Sequence, residues 1–206
     1  MKHAKLLLAL FFLNNLIAQN SESKPFSLEC YVRNEIPGYL YLDYENKTDS
    51  CLIIKNRCSF SGTIINDITS ATFHFKGKNS NSPDVYLEPN KMIIAMSIEE
   101  KKFDDKSKLL FMTILDSKGS ETTKQAIEYS KFLKNHYTDK DINKQLYVKI
   151  NDIVTQNPKN PFGCSILCGL SRAKNIDKAQ LRKIYKKLDK ESQDPMLLKR
   201  IDKNLL

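Results

Sequence analysis

An α+β fold, strands first and helices after, is predicted by three features of this chain. From Phe26 to about Asp116, short runs of alternating apolar and polar residues are broken by turn-forming residues. After Gly119 the apolar period lengthens to about 3.6 residues. The basic charge is concentrated in that second part, since residues 1–120 hold 15 Lys+Arg against 14 Asp+Glu, and residues 121–206 hold 18 against 10. The expected organisation is a signal peptide over 1–18, an antiparallel β-sandwich-like domain over 19–118, and a helical bundle or extension over 119–206.

The first segment sets the expected compartment. Lys2, His3 and Lys5 precede the apolar run Leu6 to Leu13, and Leu16-Ile17-Ala18 supplies a small residue for cleavage. That order of basic, apolar and small residues predicts secretion, with a cut after Ala18. Eight apolar residues before Asn14-Asn15 fall short of the roughly 20 that span a bilayer, so an integral membrane protein is not expected. The basic tail alternates lysines with apolar residues at helical spacing and has no aromatic platform, so a solvated helix surface is expected there and nucleic acid is not.

Eight strands are predicted: Phe26 to Arg33, Tyr39 to Tyr44, Ser50 to Ile54, Cys58 to Ile65, Ala71 to Phe75, Val85 to Leu87, Met92 to Ile98 and Leu109 to Leu115. Their breaks are Pro37-Gly38, Glu45-Asn46-Lys47, Lys55-Asn56, Gly77 to Ser80 and Pro89-Asn90. The tightest hairpin is expected at Lys55-Asn56, where Asn tolerates a positive φ. With Ile54 opposite Arg57, continued pairing would set Ile53 against Cys58 and Cys51 against Phe60, all on one sheet face. In that register Cys51 and Cys58 are diagonal neighbours about 7 to 8 Å apart, too far for a disulfide, and Cys30 is a candidate mate for either. Tyr39 and Tyr41 share one face of their strand and Leu40 and Leu42 the other, so both faces are expected to be covered.

Four or five helices follow. Ala126, Tyr129 and Leu133, with Ile127, stripe the first, over 121–137. Leu146, Ile150, Ile153 and Val154 stripe the second, opened near Thr138 or Asp139 and closed by Asn157-Pro158. Pro161 opens a short apolar helix through Ser171, with Cys164, Leu167 and Cys168 on one side. Asp177 with Gln180 makes a capping box for a helix carrying Leu181, Ile184, Tyr185 and Leu188, and Asp194-Pro195 opens the last.

Chemistry is sparse. Five cysteines in an exported chain make redox chemistry the first candidate. Cys164 and Cys168 are a C-x3-C pair inside an apolar helix, about 5 to 6 Å apart at Cβ, which favours packing over a redox role. His3, His74 and His136 have no ligand spacing, and His74 between Phe73 and Phe75 is expected to face solvent. Glu99-Glu100 and Asp104-Asp105 read as solvated loop. With six glycines in all, a phosphate-cradling loop or nucleophile elbow has little material, so no catalytic residue, metal site or cofactor is expected. Asn46-Lys47-Thr48 matches a glycosylation sequon.

Several short patterns then suggest a family. Asp49-Ser50, the run Asn56-Arg57-Cys58-Ser59-Phe60-Ser61-Gly62, and Tyr86-Leu87-Glu88-Pro89-Asn90 with Met92-Ile93-Ile94 resemble the bacterial domain of unknown function 4369. In the tail, Ile153 to Leu167 and Leu181 to Leu188 resemble the helical segment that follows it. In that family this region normally leads into a thioredoxin-like domain of thiol-disulfide reductases, for which this sequence has no counterpart before Leu206. Asn56 and Asn90 stand where glycine is usual and should keep the turns, and Cys58 stands where phenylalanine is usual. The resemblance implies turn and core roles for Asn56, Cys58, Phe60, Gly62, Leu87, Glu88 and Pro89.

These readings lead to an exported, periplasmic or secreted, non-catalytic module that binds a protein or envelope component. The alternative is an accessory or truncated thiol-disulfide oxidoreductase working with a separate thioredoxin-like protein, with Cys164 and Cys168 as its redox candidates.

Overall fold

The computed structural model describes residues 23–34, 38–102 and 108–205, so the segment 1–18 expected to be a signal peptide, Glu35 to Pro37 and Asp104-Asp105 lie outside the described residues. Eight strands come first: β1 (Lys24–Arg33), β2 (Tyr39–Tyr44), β3 (Lys47–Leu52), β4 (Arg57–Ile64), β5 (Thr69–His74), β6 (Asp84–Leu87), β7 (Lys91–Lys102) and β8 (Lys108–Lys118). Among the described residues five α-helices follow: α1 (Glu121–His136), α2 (Ile142–Gln156), α3 (Pro161–Ser171), α4 (Lys178–Tyr185) and α5 (Pro195–Leu205). The α+β class and the order of the elements agree with the sequence.

The strands form two four-stranded sheets, ordered β4-β1-β7-β8 and β3-β2-β5-β6. Pairing is antiparallel except between β1 and β7, which run parallel from Ser27 opposite Lys91 to Arg33 opposite Ser97. Inward residues of both sheets join in one apolar core, including Leu28, Cys30, Phe60, Ile94 and Met96 from the first and Leu40, Leu42, Phe73 and Leu87 from the second. Alternation accounts for the inward set, because a strand sends every second side chain to the same face.

The turn at Lys55-Asn56 forms as expected, with positive φ at both residues (50° and 62°) and mutual backbone bonds between Ile54 and Arg57 of 2.9 and 3.0 Å. The pairing beyond it does not. β3 and β4 diverge after that single bridge and enter different sheets, so Cys51 is not opposite Phe60 and Ile53 is not opposite Cys58. Each strand finds a longer partner elsewhere, β3 on β2 and β4 on β1. A second two-residue turn, Glu45-Asn46 (φ 46° and 61°), closes the fully laddered β2–β3 hairpin.

Two further expectations fail locally. The tyrosine face of β2 is not covered: Leu40 and Leu42 are fully buried, whereas Tyr39 is 53% exposed and Tyr41 stacks on His74 at 5.3 Å. Glu99 and Glu100 belong to β7 rather than to a loop, and Glu100 pairs with Lys108 across the ladder at 2.9 Å.

The helical half has its own core, built from Leu146, Ile150, Val154, Leu167, Leu181, Ile201 and their neighbours. α3 is buried almost all round, which explains its uniformly apolar sequence. Asn160 caps it, accepting from the Phe162 amide at 2.9 Å, with Pro161 in its first turn. Asp177 caps α4 by accepting from Ala179 and Gln180, but the Asp177 amide donates to the Tyr147 hydroxyl, so the reciprocal arm of a capping box is replaced by a tertiary contact.

The two halves meet through a buried polar joint. Ser120, the N-cap of α1, donates to the Tyr86 carbonyl (2.7 Å) and accepts from the Thr123 amide (3.1 Å), while the Thr123 hydroxyl accepts from the Tyr86 amide (2.9 Å). Glu88 accepts from the Thr122 amide at 3.0 Å, placing a carboxylate at a helix N-terminus, where the dipole favours it. Gly119 makes the approach possible: its φ is +77°, and a Cβ there would lie 2.2 Å from the Lys91 carbonyl oxygen. The Tyr86 ring crosses into the helical core and meets Phe162 edge-on at 5.8 Å. α1 thereby lies along β6 and β8, the end strands on one side of the two sheets.

Candidate functional site

The residues implied by the family resemblance divide into three physical roles. Asn56 supplies the left-handed turn. Cys58, Phe60 and Leu87 are core, at 5%, 4% and 0% exposure. Gly62 is required for space rather than for φ, because a Cβ there would sit 2.6 Å from the Tyr44 hydroxyl and 3.1 Å from the Phe26 ring. Glu88 and Pro89 shape the joint to α1. Asn90 does not take the left-handed conformation expected of a glycine substitute; its amide donates to the Glu88 carbonyl at 2.7 Å, a γ-type turn centred on Pro89 whose fixed φ suits it.

Cys164 and Cys168 lie inside the helical core at 0% and 2% exposure, with free thiols. Burial, helped by the neighbouring Cys168, pushes the Cys164 thiol up to about 12. A thiol so held is protonated and inert at neutral pH, as a packing residue is. His74 lies on the outer face of its strand, since Phe73 and Phe75 point inward, but it is paired: its Nδ1 is 3.1 Å from Asp43, which also accepts from the Thr48 hydroxyl at 2.6 Å.

The other three cysteines come together, although they are far apart in the chain. Cys30 in β1 stands directly opposite Cys58 in β4. The Val32 amide donates to the Asn56 carbonyl at 2.8 Å, which makes that pair, and therefore Cys30–Cys58 two residues along, hydrogen-bonded pairs of the ladder. Cys51 approaches from the end of the other sheet, its Sγ accepting from the Ser59 amide at 3.1 Å. Cys58 therefore has Cys30 directly opposite it on β1, and Cys51 holds the amide of the next residue, Ser59.

That arrangement polarises the group. Donation from Cys30, and less from Cys51, holds the Cys58 thiol below its ordinary range against the opposing effect of burial. Cys30 is driven well up by the same hydrogen bond and by its own burial. Cys51 is raised by partial burial, with the Ser59 amide pulling it back. Among the described residues, no group of three or more His, Cys, Asp or Glu side chains converges as a metal centre would require.

A cleft of about 670 Å³ opens beside these thiols, where β3 and β4 part from the Lys55-Asn56 turn; its lining includes Glu29, Cys51, Leu52, Arg57, Cys58 and Ser61. Leu52 and Ile54 are exposed at its border, at 41% and 58%. Arg57 stacks on the Tyr31 ring at 4.9 Å, and Tyr31 donates to Glu29 at 2.8 Å, so one wall carries an ordered polar group. The sequence placed Cys51 and Cys58 on one inward face and named Cys30 as a candidate mate for either; what alternation could not show is that Cys30 and Cys58 stand directly opposite on β1 and β4 while Cys51 comes from the other sheet.

No known family model matches the chain, and a search of curated proteins returns no match. Among the described residues no helix is long and apolar enough to cross a membrane.

Proposed function

We propose that the chain is an exported, non-catalytic module that binds an extended segment of a protein partner in the cleft between β3 and β4. The observation that carries this reading is the placement of sheet ends. β6 and β8 are lined by α1, whereas β3 and β4, the other two end strands, border an open cleft with exposed Leu52 and Ile54. End strands present unpaired backbone groups, and an extended peptide satisfies them by adding a strand, with side-chain pockets supplying selectivity. The β half on this reading is sandwich-like, the helical half a small bundle clamped to it, and the whole akin to the domain of unknown function 4369 with its following helices. The apolar run Leu6 to Leu13 and the small residue Ala18 support export to the periplasm or beyond.

The test is site-specific photocrosslinking in the producing cell, after fractionation locates the mature chain. A crosslinker at Leu52 or Ser61 is expected to capture a discrete envelope or secreted partner, and one at Met196, exposed on α5, is not. Equal capture at all three positions, or a chain retained in the cytoplasm, would overturn the proposal. The redox alternative finds no support at Cys164 and Cys168, whose thiols are enclosed.

A further inference from the structure

We propose that Cys51 and Cys58 form a thiol–disulfide exchange site that takes an external peptide disulfide through the β3–β4 cleft, with Cys30, directly opposite Cys58 on the neighbouring strand, buried behind it. This goes beyond segment docking and does not depend on it, because the cleft need admit only a disulfide.

Packing alone accounts poorly for this group. Cys164 and Cys168 show what packing cysteines look like here: enclosed in the helical core. Cys51 differs, being half-buried, lining the cleft and accepting a backbone hydrogen bond. Three of the chain's five cysteines meet at one place, from three strands in two sheets. Among the described residues they do not converge as a metal centre would require, which leaves exchange between neighbouring thiols as the chemistry they suit.

Order of access decides the chemistry. Exchange begins on a thiol that solvent can reach, and of the three only Cys51 is not enclosed, since Cys30 and Cys58 are 0% and 5% exposed. The Cys51 thiolate attacks one sulfur of the external disulfide, forming a mixed disulfide and releasing the first external thiolate. The Cys58 thiolate then attacks the Cys51 sulfur and expels the second external thiolate. Two protein thiols are oxidised to one Cys51–Cys58 bond, and one external disulfide is reduced to two thiols, which take up the two protons lost by the protein. The register favours this second step, because Cys51 holds the Ser59 amide next to Cys58, and the Cys58 thiol is held below its ordinary range. Cys30 is fully enclosed and Cys58, although it borders the cleft, is only 5% exposed, so Cys51 is the first thiol an incoming disulfide meets.

Purified mature protein, fully reduced, is incubated with glutathione disulfide at neutral pH and mapped by tryptic mass spectrometry. Cleavage after Lys55 and Arg57 puts Cys51 and Cys58 on separate peptides. The expected product is a Cys51–Cys58 bridge with two glutathione molecules released per chain, and Cys30, Cys164 and Cys168 remain free thiols. Cys51→Ser, at a half-buried position that tolerates the change, should slow the reaction at least tenfold. Cys58→Ser should stop it at a glutathionylated Cys51 with one glutathione released. Failure of any bridge to form, a Cys30–Cys58 bridge as the first product, or unchanged rate in Cys51→Ser would overturn the proposal. A circular dichroism spectrum matching wild type qualifies each variant, and the wild-type map decides the matter even if Cys58→Ser does not fold. Loss of photocrosslinking with exchange intact would remove the docking reading alone.

Discussion

Substituting Gly62 by alanine should destabilise the β half for one identifiable reason, and removing a single oxygen atom should reverse most of the loss. The added Cβ would lie 2.6 Å from the Tyr44 hydroxyl. That hydroxyl has little freedom, since it donates to Asp49 at 2.6 Å and its ring meets Phe26 edge-on at 5.3 Å. Overpacking of this kind costs about 1–3 kcal/mol. Gly62 has no positive φ, so alanine also restricts the unfolded chain, which returns about 0.4–1 kcal/mol. The net loss should be about 0–2.6 kcal/mol. Tyr44→Phe alone should cost about 1 kcal/mol, because water replaces the lost donor at the half-buried Asp49. In the Tyr44→Phe background, however, alanine at position 62 has no hydroxyl to meet, only the Phe26 ring carbons at 3.1 and 3.4 Å, which can shift by tenths of an ångström. The double variant should therefore be more stable than the sum of the two losses by about 1–2 kcal/mol. Urea unfolding followed by far-ultraviolet circular dichroism measures all four proteins, and unchanged slopes validate the comparison. Additivity within about 0.5 kcal/mol would refute the assignment of Gly62 to close packing against Tyr44.

The joint to α1 predicts that Ser120→Ala, which removes the helix cap and the bond to the Tyr86 carbonyl, lowers stability by about 1–2 kcal/mol. Tyrosine near-ultraviolet and helical far-ultraviolet signals should fall together; a helical loss that leaves the β signal unmoved would show that the joint does not couple the halves. Alkaline pH supplies a second test. Cys164 and Tyr129 are each pushed up to about 12, and Tyr44, Tyr86 and Tyr185 are raised in the same direction, in every case chiefly by burial. These groups keep their protons in the folded chain after the unfolded chain has begun to lose them, so their contribution is complete below about pH 8.5 and declines as pH rises. The urea midpoint should fall steadily between pH 9 and 10.5, and a flat midpoint there would contradict the burial of these groups.

Element existence was legible because it depends on local chemistry. Alternation from Phe26 to Val32 marks β1, Asn160-Pro161 marks the start of α3, and Asp177 marks the start of α4. Pairing was legible only as far as turn geometry reaches. At Lys55-Asn56 the first pair was readable, yet an inward period of Cys51, Ile53, Cys58 and Phe60 fits two strands sharing a sheet face as well as two strands facing one core from different sheets. Nothing local distinguishes these, and the longer pairings of β3 with β2 and β4 with β1 decide between them. The joint was illegible for another reason. Ser120, Thr122 and Thr123 are polar and read as surface, and burial suits them only because Tyr86 and Glu88 arrive from a distant hairpin to satisfy them. The Cys30, Cys51 and Cys58 grouping inherits both difficulties, since it requires the cross-sheet divergence and the β1–β4 register at once.

The parallel pairing of β1 with β7 has a consequence in time. β1 is the first strand among the described residues and an interior strand of its sheet, yet its partner on one side, Lys91 to Ser97, follows every strand of the other sheet in sequence. As the chain emerges, Leu28 and Val32 have a place on β4 early and must wait for β7 before their second backbone edge closes. Such long-range pairings are reached slowly, because a long loop must be ordered before its contacts form. During that interval the open edge of β1 is the segment most apt to pair with another chain. A helper that holds the nascent protein would best act on Lys24 to Arg33, and a slow folding phase should track the arrival of β7.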